Sequence, residues 1–189
     1  HKSYLSFLEN LQTRGLKGIN LKLIIMDGAL GLWSAIEEVY PDAPHQLCWA
    51  HKLRNVSKYC PVKHRKECLE EAAEIMYARS RGMAAKFFRE WKAKWQSLAP
   101  KAVACLERDF EKLTPVFDFP QHIRKIIRTT NIIERCFREV RRRLKVMGYF
   151  QDNKSCKRIV MSLVEYFNIK WAKRSKRIKP IAELYQNAA

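Results

Sequence analysis

The feature that most limits how this chain can fold is a short apolar run that stops at an aspartate. Ile19-Asn20-Leu21-Lys22-Leu23-Ile24-Ile25-Met26 ends almost continuously apolar, and Asp27-Gly28 follows at once. Such a run predicts a strand buried on both faces, as in a parallel or mixed sheet. The flanking signals agree. Tyr4, Leu5, Leu8 and Leu11 recur at helical spacing, and Gly15 is placed to end that helix. Ala29 to Tyr40 reads as a second helix closed by Pro41, and Pro44-His45-Gln46-Leu47-Cys48-Trp49 as a second short strand. The order helix, strand, helix, strand indicates an α/β core.

After Ala50 the strand signals vanish. From about residue 51 to 113 the chain is rich in Glu, Lys, Ala, Trp and Phe at helical spacing, punctuated by Pro61, Gly82, Pro100 and Pro115. A third segment starts near Thr129. Ile133, Phe137, Val140, Leu144 and Met147 step by four, three, four and three, which is one face of a helix, and Gly148 ends it. A last helix is expected from about Lys154 to Lys173, with Ile159, Leu163, Tyr166, Phe167 and Trp171 as its apolar side. Three regions follow: an α/β core over 1–50, a helical insertion over 51–120, and over 121–189 a helix carrying Glu134 with a basic helical tail.

Charge narrows the class of partner. The 189 residues hold 37 Lys and Arg against 19 Asp and Glu, a net +18. From Gln121 onward the count is 18 against 5, so +13 of that excess lies in the last third. Such an imbalance favours a polyanion, because Lys and Arg displace condensed counterions from phosphate. Six cysteines at irregular spacing do not form the dense framework of a small secreted domain. No apolar run approaches the ~20 residues that span a bilayer. With no signal peptide recognisable, the chain is expected to be intracellular with reduced thiols.

Few residues carry chemistry. Asp27 is expected at the carboxyl end of a strand, where ligands gather in open α/β sheets, and a carboxylate there suits a hard cation such as Mg²⁺. The alternative is an Asp-Gly turn that simply ends the strand. Glu134 falls in the first turn of the third-segment helix, off its apolar stripe. It reads either as a metal ligand or as the partner of Asn131 in a capping box and of Arg138 one turn on. Arg138, Arg141, Arg142, Arg143 and Lys145 are candidates for phosphate contact. Cys48-x-x-His51 and Cys60-x-x-x-His64 together offer a possible tetrahedral Zn²⁺ set, which would make the chain a zinc-stabilised interaction domain. A non-catalytic helical nucleic-acid-binding module is the other alternative. Trp33 and Trp49 are expected in the core.

Three motifs recur in a fixed order. Asp27-Gly28-Ala29 follows the apolar strand, Cys48-Trp49-Ala50-His51 comes next, and Thr129-Thr130-Asn131-Ile132-Ile133-Glu134 leads into Arg141-Arg142-Arg143. In this the chain resembles the Mutator superfamily of transposases, most of all its prokaryotic insertion-sequence branch, over nearly its whole length. The resemblance implies a partial RNase H-like fold, with two recognisable strands and a large all-helical insertion before the last acid. It also implies a DDE triad that performs cut-and-paste phosphoryl transfer with two Mg²⁺ or Mn²⁺ ions. Asp27 matches the second aspartate of that triad and Glu134 its glutamate. Cys48 and His51 match a C-x-x-H signature near the active site, used in handling DNA strands rather than zinc. The implied partners are double-stranded DNA, as transposon ends and target, and a second copy of the chain or more. No membrane is implied, and the setting is nucleoid-associated in a prokaryotic cytoplasm. The family's first aspartate lies upstream of the segment that resembles residues 1–15. On that reading this chain holds two of three acids and is expected to bind DNA without cleaving it alone.

Overall fold

A computed structural model of the chain describes residues 1–175. The basic tail beyond Ser175 and the side chain of Trp171 lie outside the described residues. The chain divides into two compact units, residues 1–132 and residues from Ile133 onward.

The first unit opens with helix α1 (Lys2–Thr13), strand β1 (Ile24–Met26), helix α2 (Leu30–Val39) and strand β2 (His45–Leu47). The strands pair in parallel, Ile24 with His45, Ile25 with Gln46 and Met26 with Leu47. Two parallel strands joined in sequence need a crossover, and α2 supplies it. The order inferred from the sequence is therefore present, and the fold is α/β with a helical majority.

The strand itself differs from expectation. It is three residues long rather than eight, because the chain turns before it pairs. Gly18 has φ +86, and the amide of Leu21 donates to its carbonyl at 2.9 Å. A Cβ on Gly18 would lie 2.7 Å from Cδ1 of Tyr40, so only glycine lets that ring close over the turn. Ile19 is left 83% exposed. Nor is β1 buried on both faces: Ile24 and Ile25 are half-buried and Met26 is buried.

Residues beyond β2 fold as helices: α3 (Trp49–Ser57), α4 (Arg65–Tyr77), α5 (Arg81–Trp95), α6 (Pro100–Arg108), α7 (Phe110–Leu113) and α8 (Gln121–Ile127). Three-residue and four-residue 3₁₀ turns at Val62–His64 and Pro115–Asp118 link them. Several starts obey simple rules. The Ser80 hydroxyl caps α5 by accepting from the amide of Met83 at 3.2 Å. Pro100 occupies the first turn of α6, where a missing N–H costs nothing. Indole N–H groups peg the helices together. Trp49 donates to the carbonyl of Leu113 at 2.8 Å, Trp91 to that of Cys68 at 3.0 Å, and Trp95 to Glu71 at 2.8 Å. Each large ring thus buries its apolar body while its polar atom keeps a partner. The core is continuous. It runs from Leu8, Met26 and Ile36 through Trp49 and Val56 to Ile75, Trp95, Leu106 and Leu113.

The second unit holds most of α9 (Asn131–Lys145) and α10 (Asn153–Ser175). Asp152 caps α10, its Oδ1 accepting from the amide of Ser155 at 2.6 Å, a bond that pulls its carboxyl below the usual carboxylate range. On α9, Val140 and Leu144 are half-buried while Ile133 and Phe137 are exposed. On α10, Phe167 is buried and Tyr166 exposed.

Candidate functional site

Parallel pairing sets the site. Because β1 and β2 run the same way, the residues that follow them, Asp27 and Cys48, emerge at the same end of the sheet. The amide of Cys48 donates to the carbonyl of Met26 at 2.7 Å and locks that end. Gly28, at φ +92, then turns the chain into α2. Asp27 is exposed, and its Oδ1 accepts from the amide of Ala29 at 3.2 Å. The turn role weighed from the sequence is therefore real. It engages one carboxylate oxygen and leaves the group open to solvent on the cleft side.

That cleft has a volume of about 560 Å³. Asp27, Gly28, Trp33, Lys52, Arg108, Asp109 and Lys112 are among the residues that line it. The helical segment after β2 therefore contributes a largely basic wall to the cleft that Asp27 lines. Lys112 stands over the Trp33 ring, 4.4 Å from its centre, and Trp33 donates to Glu37 at 2.6 Å. Trp33 is a half-buried residue packed against the core at the cleft, whereas Trp49 is fully buried.

Lys52 is the unusual member of this wall. Its side chain is 5% exposed, forms an ion pair with Asp109, and donates to the carbonyl of Cys105 at 3.2 Å. Burial pushes the Asp109 carboxyl up, but the Lys52 ammonium and the Arg108 guanidinium outweigh it, and its pKa ends below the usual range. The pair ties α3 to the start of α7 and fixes the basic wall.

The Cys48-x-x-His51 motif holds a different partner from any inferred from sequence. The buried thiol of Cys48 accepts from both the amide and the hydroxyl of Thr130 at 3.3 Å. The Thr130 hydroxyl also lies 3.4 Å from Nδ1 of His51. Nearby, Gln46 donates to the carbonyl of Ile127 at 3.1 Å, and the amide of Trp49 donates to that of Arg128 at 3.3 Å. Four neighbouring residues thus lace segment 127–130 to the end of β2. Thr129 accepts from the amide of Asn131 at 3.4 Å, at the entry to α9.

The possible zinc set is not assembled. Cys48 turns to Thr130, while the Cys60 thiol sits 3.3 Å from that of Cys68 and donates to the carbonyl of Val56. Among the described residues no group of three or more His, Cys, Asp or Glu is spaced to hold a metal ion.

Within the second unit, Glu134 is half-buried in the first turn of α9. Arg138, Arg141, Arg142 and Lys145 are exposed. Arg142 and Arg143 share Glu139, at 3.2 and 2.9 Å. Arg143 also stacks its guanidinium over Phe167, 4.7 Å from the ring centre. Of the five cations singled out from the sequence, Arg143 is the one most committed to internal packing. Sequence reasoning missed Lys52, Arg108, Asp109, Lys112 and Thr130. Only the Thr129-Thr130 pair stood out beforehand, as part of a motif without a role. Among the described residues no helix is long and apolar enough to cross a membrane.

Residues 1–174 match the profile of a family described as "Transposase, Mutator family". The chain is 34% identical over 172 residues to the transposase for insertion sequence element ISRM5 of Rhizobium meliloti (strain 1021), covering 91% of this chain and 43% of that protein. It is 40% identical over 141 residues to the transposase for element IST2 of Acidithiobacillus ferrooxidans, covering 75% of this chain and 47% of that one. It is 30% identical over 172 residues to the transposase for element IS905 of Lactococcus lactis subsp. lactis (strain IL1403), covering 91% and 43%. The chain spans less than half the length of the curated relatives it matches.

Proposed function

Since the chain belongs to the Mutator family of transposases, we propose that it forms part of a DDE-type catalytic domain that cuts and rejoins DNA by phosphoryl transfer, with Asp27 and Glu134 as two of its acids. The observation that carries this reading is the placement of Asp27. It is an exposed carboxylate at the carboxyl end of a parallel strand, lining a cleft to which Arg108 and Lys112 also contribute. The β1-α2-β2 unit is read as part of an RNase H-like sheet.

The donor chemistry fits a hard divalent cation. Asp27 presents carboxylate oxygen at a cleft edge, and Gly28 beside it carries no side chain to crowd an ion. Glu134 would supply the second ligand. Bound Mg²⁺ or Mn²⁺ would stabilise charge on the attacking and leaving oxygens of a phosphodiester. The chain's own residues do the positioning. Arg108 and Lys112 neutralise backbone phosphates along the cleft. Arg138, Arg141, Arg142 and Lys145 extend that role along α9. Cys48 and His51 act through Thr130, holding the stretch that enters α9.

Excision by an element encoding this sequence tests the reading. Asp27→Asn and Glu134→Gln should each abolish excision while the purified chain keeps its affinity for duplex DNA. On the same proteins, Mn²⁺ affinity measured by EPR of the free ion should fall. Normal excision by either variant would show the assignment of that acid to be wrong.

A further inference from the structure

A second cavity, larger than the cleft at Asp27, lies elsewhere in the first unit. It has a volume of about 790 Å³, within the range of ligand-binding pockets. Helices α3, α4 and α8 form it. Leu53, Leu69 and Met76 supply an apolar floor, and Arg54, Lys125 and Arg128 supply the cations. Leu53 and Leu69 are half-buried, and Lys125 is exposed. Arg128 lines the cavity and spreads its guanidinium over the Tyr77 ring, 4.5 Å from the centre.

Two separate chemistries meet here. A backbone phosphate on intact duplex needs cations but no concave apolar floor. A base that has left its stack needs an apolar surface to lie against, together with cations for the phosphate that travels with it. Among the described residues no acidic side chain lines this cavity.

We propose that this cavity binds one unpaired nucleotide of a DNA strand. Its base lies against Leu53, Leu69 and Met76, and its phosphate is held by Lys125 and Arg128. The inference rests on the reading of the chain as a DNA-handling transposase, and it adds a site that grips a strand opened next to the point of reaction. The anchored segment 127–130 links the two places. Arg128 faces the cavity, while Thr130, two residues on, is held by Cys48 and His51.

Fluorescence anisotropy of the whole chain on a labelled duplex, and on the same duplex with a one-nucleotide gap, separates the outcomes. The gapped DNA should bind more tightly, by roughly 5-fold, the low end of what a stacked base contributes, because the floor is aliphatic. Leu69→Trp, which fills the floor, should abolish that preference and leave intact-duplex affinity unchanged. Ser57→Trp, at the end of α3 on the same cavity, should do the same, so that misfolding of one variant does not mask the result. Lys125→Gln should lower the slope of log affinity against log salt by about 1 on gapped DNA. Equal binding of gapped and intact DNA by the wild-type chain would overturn the pocket, as would a preference that survives both tryptophan variants. Absence of binding to either DNA would instead overturn the transposase reading beneath it.

Discussion

The Lys52–Asp109 pair offers the sharpest test of how the basic wall of the cleft is built. With side chains 5% and 16% exposed, the two charges depend on each other rather than on water. Lys52→Met removes the ammonium and strands Asp109, which keeps only a distant hold on the exposed Arg108 at 3.4 Å. It also leaves the Cys105 carbonyl without its donor. Breaking one side of a buried pair costs about 3–5 kcal/mol. The residual exposure of Asp109 and its contact with Arg108 reduce this to about 2–4 kcal/mol for Lys52→Met. Asp109→Asn should cost more, near the upper end of that ~3–5 kcal/mol range, because it leaves the deeper charge uncompensated. The double variant Lys52→Met/Asp109→Leu buries no charge and should return to within about 1 kcal/mol of wild type. Urea unfolding followed by the fluorescence of the buried Trp49 and Trp95 reads all four corners of the cycle. Folding also links the pair to pH. The carboxyl of Asp109 is depressed in the folded chain, so the stability it contributes is full above its unfolded pKa of about 3.9 and is lost as pH falls through the lower folded value. The gap between wild type and double variant should therefore be flat from pH 8 to 5 and change only below about pH 4. Additive single-variant costs, or a cost below about 1 kcal/mol for Asp109→Asn, would show that the pair does not brace the wall.

Three further outcomes are expected. Gly28→Ala should destabilise by about 1–2 kcal/mol through its positive φ alone, since the new Cβ would meet Leu47 at an ordinary 3.5 Å; a wild-type melting curve would refute this. Thr130→Val removes one donor to the Cys48 thiol and should cost about 0.5–1.5 kcal/mol, a melting shift of roughly 2–4 °C per kcal/mol, and no shift would mean the lacing is not a stabilising contact. Cys68, whose thiol burial and then the Cys60 contact push up to about 12, should resist thiol reagents at pH 8 until the chain unfolds; rapid labelling of the native protein would contradict its burial.

Much of the fold was legible from local pattern. Helix periods, Pro and Gly stops, and the apolar run before Asp27 depend on neighbours a few residues apart, so sequence alone specified the order of elements and the α/β start. The three ordered motifs likewise specified the family. Tertiary structure decided what spans long sequence distances. It shortened β1, because the Tyr40 ring closes over Gly18 and turns the chain first. It gave Cys48 and His51 to Thr130, some eighty residues away, and not to Cys60 and His64. It brought Lys52 and Lys112 into the cleft that Asp27 lines, although nothing marks them among 37 basic residues. The physical reason is that burial and pairing energies act between groups brought together by chain packing, and no local period in the sequence encodes which groups those are.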